Sequence, residues 1–233
     1  MDEQVPKVLE YVRATGRALA SNVSGLALGA GSAGALLALM FLAVDLLQAI
    51  PDEETRITMS MPFLAGIMAL PFAAPWLASG WSAVMASQEP RSLALYARVF
   101  IVSVCAGAVG AGSVATFFIA LFYIESRYAP LTVLYAREGL SAGKAERATY
   151  AMTDASTNRL TNAGFGLQLI LYALFIAAFF STVSFAEGSE PSGELMVAWL
   201  VALVVLRGVL TGAFQLAAYE LLSTSREPPA SEA

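Results

Sequence analysis

Residues 25–44, GLALGAGSAGALLALMFLAV, carry no charge. A run of this kind matches the ~20 apolar residues that a helix needs to cross a bilayer. Further long apolar runs lie within 59–86, 99–136, 164–186 and 195–222. Because helices satisfy their own backbone hydrogen bonds in lipid, the pattern predicts an all-α, polytopic transmembrane helical bundle. The composition agrees: 58% of residues are hydrophobic and 13% charged, against roughly 25% charged in soluble domains. One transmembrane domain is expected over 23–222, and helices rather than alternating strands suggest an inner (plasma) membrane.

Residues 1–22 form a separate segment. Val5, Val8, Leu9 and Val12 recur at helical spacing among charged residues, which predicts an amphipathic helix. It reads either as a membrane-surface helix or as a first turn packed on the bundle. With Asp2, Glu3, Lys7 and Glu10 and no apolar core, it does not read as a signal peptide. The polar, Pro-containing stretch 223–233 is expected to be disordered.

Charge decides the number of crossings, since short cytoplasmic loops carry the excess of Lys and Arg. If 99–124 is one span, there are five. Lys7, Arg13, Arg17, Arg91 and Arg98 then fall inside, against seven basic residues outside, among them Arg127, Arg137, Lys144, Arg147 and Arg159. If instead 99–136 is a hairpin turning at Gly110-Ala111-Gly112, there are about six spans and both termini are cytoplasmic. Arg137, Lys144, Arg147, Arg159 and Arg226 then join the inside set, and only Arg56 stays outside. The six-span arrangement is preferred. Its short limb, 99–109, reads as a half-span or a re-entrant helix. The stretch 138–160 becomes a cytoplasmic helix that Ser141 could cap.

On this topology Glu125 and Arg127 lie inside a span of about 112–136, and Arg207 lies inside the last one. Buried charges in a membrane face protein or water and have partners. Counted from Gly112 and from Leu195, Glu125 and Arg207 both fall roughly 18–20 Å deep, which predicts an ion pair between them. Arg127, about 200° round the helix from Glu125, faces elsewhere. The cluster reads as a proton or ion path, as an anchor for an anionic headgroup, or as a pair that sets helix register. The last is preferred.

Gly25, Gly29 and Gly34 in the first span, and Gly208 and Gly212 in the last, permit close helix approach. They could serve an oligomer or, as preferred here, packing within the bundle. Pro71 and Pro75 should kink the second span. The segments 29–45 and 110–125 both begin GAGS, a match best explained by chance.

Chemistry is sparse. There is no His, and Cys105 is the single cysteine. No Ser–His pair, metal-ligand cluster or phosphate loop can be assembled, so no catalytic residue, cofactor or metal is expected. No basic tract points to nucleic acid. The expected partners are membrane lipid and other membrane proteins or further copies of this chain. The chain reads as a non-enzymatic accessory, assembly or lipid-contacting component, or alternatively as a small transporter or channel.

One resemblance bears on this. The double apolar stretch with its glycine turn is followed by Arg127, Pro130 and Leu131. Then come Glu138-Gly139-Leu140-Ser141, with Ala145 opening the cytoplasmic helix. Over roughly 100–222 this resembles the bacterial six-span proteins related to the membrane domain of glycerophosphoryl diester phosphodiesterases. Gly110-Ala111-Gly112 stands where that family often has Pro-Gly. The resemblance implies six spans and a membrane location, and says little about activity. The residues left over could not hold a phosphodiesterase domain.

Overall fold

The computed structural model describes residues 6–87, 92–116, 118–185 and 192–224. Arg91, Arg226, most of the acidic loop 187–194 and the tail from 225 lie outside them. The described chain is all-α: α1 (Val8–Leu47), α2 (Glu53–Ala86), α3 (Leu93–Thr116), α4 (Phe118–Arg127), α5 (Leu131–Glu138), α6 (Ala142–Thr153), a 3-10 turn (Asp154–Ser156), α7 (Thr157–Phe185) and α8 (Gly193–Thr224). Five helical stretches, Val8–Leu47, Glu53–Ala86, Leu93–Ser113, Ala142–Thr182 and Gly193–Thr224, are long and apolar enough to cross a membrane. The chain is therefore a multi-span membrane protein.

At the centre, α1, α2 and α8 pack against one another through their small residues. A Cβ on Gly25 would lie 2.6 Å from the Cα of Ser82, and one on Gly29 would lie 2.6 Å from the Cα of Ala78. Gly34 faces Val205, Gly208 faces Ala30 and Ala74, and Gly212 faces Ala78 and Leu26. These pairings make α1 antiparallel to both α2 and α8. The glycines therefore lie against helices of the same chain.

Near its start, α1 bends at Asn22, where φ is −125° and ψ is 19°. The Asn22 side-chain amide donates to the carbonyl of Ala18 at 3.0 Å. Before this bend, Tyr11, Ala14, Thr15 and Ala18 are buried on the bundle, while Val8, Leu9 and Val12 are exposed. The segment is continuous with α1 rather than separate; one face packs on protein, and Val8, Leu9 and Val12 point away from it. At the other end, Ser141 occupies the N-cap position of α6 but makes no side-chain cap bond.

Two sequence expectations need correction. The turn is not at Gly110-Ala111-Gly112. Those residues lie inside α3, which continues to Thr116. Glycine costs only about 1 kcal/mol in a helix, whereas an open backbone group in lipid costs several. Gly107 instead lets α3 approach α2, where an added Cβ would lie 2.6 Å from the Ala73 nitrogen. The chain still reverses. Leu121 comes within 3.5 Å of the Cβ position of Gly110, and Gly80 is flanked by both Val99 and Thr132. The first limb, 24 residues long, is about 36 Å rather than a short half-helix.

Nor is 112–136 one helix. Pro130 carries no N–H, and the chain turns over 128–130 between α4 and α5. The Trp76 indole donates to the Tyr128 carbonyl at 3.2 Å, and the Thr153 hydroxyl donates to the Arg127 carbonyl at 3.1 Å. The Leu131 N–H also reaches the Tyr128 carbonyl, at 3.0 Å, so these side chains add donors at the break. The GAGS similarity has no structural counterpart: 29–45 lies within α1, while 110–125 straddles the junction of α3 and α4.

Candidate functional site

Glu125 on α4 and Arg207 on α8 form an ion pair, with both side chains 4% exposed. Arg207 Nη2 donates to Glu125 Oε1. The other arm of the guanidinium, Nη1, donates to the carbonyl of Pro71 on α2 at 2.5 Å. That carbonyl is open because residue 75, its normal helical donor, is also proline. The expected kinking prolines thus expose an acceptor inside the bundle. The guanidinium also lies over the Phe72 ring, 5.5 Å from its centroid. Tyr172 on α7 places its hydroxyl beside the same group.

The carboxylate has a second donor. Gln168 Nε2 on α7 donates to Glu125 Oε2 at 2.5 Å. The ion pair therefore joins α2, α4, α7 and α8. Gln168 was missed in the sequence reading. Its signal was available, since it is the one side-chain amide in the apolar run 164–186, and such amides in membranes find interhelical partners.

Glu125 and Arg207 meet at matching depth as expected, although the turn is not at Gly110-Ala111-Gly112. Glu125 contacts Arg207 and Glu138 contacts Tyr219, offsets of 82 and 81 residues, so α4 and α5 run parallel to α8. Phe118 then lies level with Leu200, seven residues beyond Gly193. At 1.5 Å per residue, the start of α4 lies about 10 Å short of the α8 end.

Arg127 belongs to a different cluster. It ends α4, where its Nη2 meets Asp154 Oδ1 at 2.7 Å and its Nη1 donates to Thr157 Oγ1 at 2.8 Å. Its Cζ lies 4.6 Å from the centroid of the Tyr150 ring. A third polar group sits between α2, α5 and α8. The Ser79 hydroxyl donates to Gln215 Oε1 at 2.7 Å and lies 3.0 Å from Thr132 Oγ1. With the Ser79 proton directed to Gln215, Thr132 is the donor in the second bond.

Among the described residues, neither Glu125 nor Arg207 lines the grooves at Cys105, Arg147 or Arg98. Among the described residues, no group of three or more His, Cys, Asp or Glu could hold a metal ion. Chemically, the Glu125 cluster can hold four helices in one register. No family model matches the chain, and comparison with curated proteins and with solved structures gives no match.

Proposed function

We propose that this chain is a non-enzymatic membrane protein of the inner membrane that contacts lipid and assembles with other membrane components. In this reading α1, α2, α7 and α8 cross completely, α3 and α4 form a shorter hairpin, and both ends are cytoplasmic. That gives six membrane segments, in keeping with the resemblance noted over 100–222. Support for the topology comes from α4 running parallel to α8 and from the basic residues gathering on one side.

The observation that carries the functional reading is that the Glu125–Arg207 pair takes its further hydrogen bonds from within the protein, Arg207 to the Pro71 carbonyl and Gln168 to Glu125. A proton or solute path needs a charge that water or substrate can reach. This pair is held as a structural clamp, and the grooves described above do not reach it. Transport gains no support from it.

The test is gentle extraction of the tagged full chain from its native membranes, followed by mass spectrometry of retained protein and lipid. A stoichiometric membrane-protein partner or bound lipid is expected. A chain recovered with neither, together with solute flux in reconstituted vesicles that Glu125→Gln abolishes, would overturn the reading.

A further inference from the structure

A groove of about 360 Å³ opens sideways between α3 and the arm formed by α4, α5 and α6. Its α3 wall is Ile101, Val102, Cys105 and Val109, residues that share one helical face. Ile101 and Val109 are more than half exposed, and Cys105 is also exposed, so the groove faces away from the bundle. From Ile101 to Val109 it extends about 12 Å. The volume lies within the range of ligand pockets, which are mostly apolar with a few placed polar groups.

The polar groups gather at the α6 end. The Glu146 carboxylate lines the groove there and accepts from the Tyr128 hydroxyl at 3.4 Å. Tyr128 and Tyr150 hydroxyls are 2.9 Å apart, so Tyr150 can donate to Tyr128 while Tyr128 donates to Glu146. Arg98 lies one turn before Ile101 and Val102 on the same face of α3. It lines a neighbouring groove that shares Ala142 with this one. An anionic and a cationic side chain therefore flank the end of an apolar channel. Among the described residues neither takes part in a salt bridge.

The geometry points to a binding site for one phospholipid with an ethanolamine headgroup. One acyl chain lies along α3, the ammonium meets Glu146 and the phosphate meets Arg98. A primary ammonium brings three N–H donors to the carboxylate, whereas a choline headgroup brings none. A glycerol headgroup would bring no cation to Glu146, which on its other side shares a groove with Arg127 and Arg147. This assignment rests on the lipid-contacting reading above and adds the headgroup, the orientation and the residues.

The experiment is native mass spectrometry of the full chain in mild detergent, offered equal amounts of dioleoyl phosphatidylethanolamine, phosphatidylcholine and phosphatidylglycerol. We expect one phosphatidylethanolamine per chain, retained about tenfold over phosphatidylglycerol, the scale of one charge-assisted contact. Glu146→Gln should remove that preference. Cys105→Trp and Val109→Phe, each filling the groove, should reduce retention of all three lipids. Thermal unfolding of each variant shows whether it is folded, and either groove-filling variant suffices. Equal retention of the three lipids by the wild type, or an unchanged preference in Glu146→Gln, would overturn the headgroup assignment and leave the lipid-contacting reading standing. Full retention in a folded groove-filled variant would overturn the site itself. The broader reading is judged separately, by what the native-membrane extraction recovers.

Discussion

Arg207 donates to the carbonyl of Pro71, the carbonyl that Pro75 leaves without a helical donor. A cost in one helix is thereby met by a charge on another. The same guanidinium holds Glu125, so one side chain closes two electrostatic openings in an apolar interior. Removing one partner of such a pair strands the other charge, and that asymmetry shapes the first prediction.

Arg207→Leu should destabilise the protein by about 3–5 kcal/mol, because it leaves the Glu125 carboxylate buried without a counter-charge. Glu125→Gln added to Arg207→Leu should restore much of the loss. Unfolding midpoints in detergent for the two single variants and the double variant give the coupling. Additive losses would show that the pair is not a unit.

Pro75→Ala supplies an N–H for the Pro71 carbonyl and so competes with Arg207. In the wild-type background it should cost about 1–3 kcal/mol, as the guanidinium loses an acceptor in a buried place. In the Arg207→Leu background it should cost less, or stabilise. An equal effect in both backgrounds would disconnect the proline from the arginine.

Gly29 and Gly31 are two residues apart and should respond oppositely. Gly29→Ala drives a methyl group to 2.6 Å from the Ala78 backbone and should cost on the order of 1–3 kcal/mol. Gly31 has nothing within 4 Å of its Cβ position, so Gly31→Ala should be neutral or stabilising by up to ~1 kcal/mol. Thermal melts of the two variants side by side provide the comparison.

The short α3–α4 hairpin predicts a labelling pattern. In a Cys105→Ser background, Arg56→Cys should react with a membrane-impermeant maleimide applied from outside. Gly112→Cys, near the end of α3, should not, because in the proposed topology α4 starts about 10 Å below the outer end of α8. Equal labelling at the two positions would place the tip at the surface.

Asp52 caps α2, accepting from the Thr55 backbone N–H at 2.9 Å. The Thr55 side chain and backbone together hold its carboxyl below the usual carboxylate value. A lowered folded value means that the cap's contribution is complete above the unfolded value near ~3.9. It is lost as pH falls through the lower folded value. Amide exchange at the first turn of α2 should therefore quicken, relative to intrinsic rates, only below about pH 4. Asp52→Asn should remove that pH dependence.

The amino-acid sequence by itself determined the membrane class, the all-α content and the pairing of Glu125 with Arg207. Each follows from a strong local cost, namely charge in apolar runs and open backbone groups in lipid. The apolar runs that lie within α1, α2, α7 and α8 were legible for the same reason, but not where those helices begin, at Val8, Glu53, Thr157 and Gly193. Tertiary structure alone decided where the hairpin turns, because glycines 107 and 110 can serve helix packing as readily as a turn, and only their neighbours on α2 choose. It also decided the break at Pro130, where Trp76 and Thr153 from other helices donate to the Tyr128 and Arg127 carbonyls. Gln168 and Pro71 joined the ion pair for a similar reason. Hydrogen-bond partners that are far apart in the chain leave no periodic mark in it, and only the folded bundle brings them within reach.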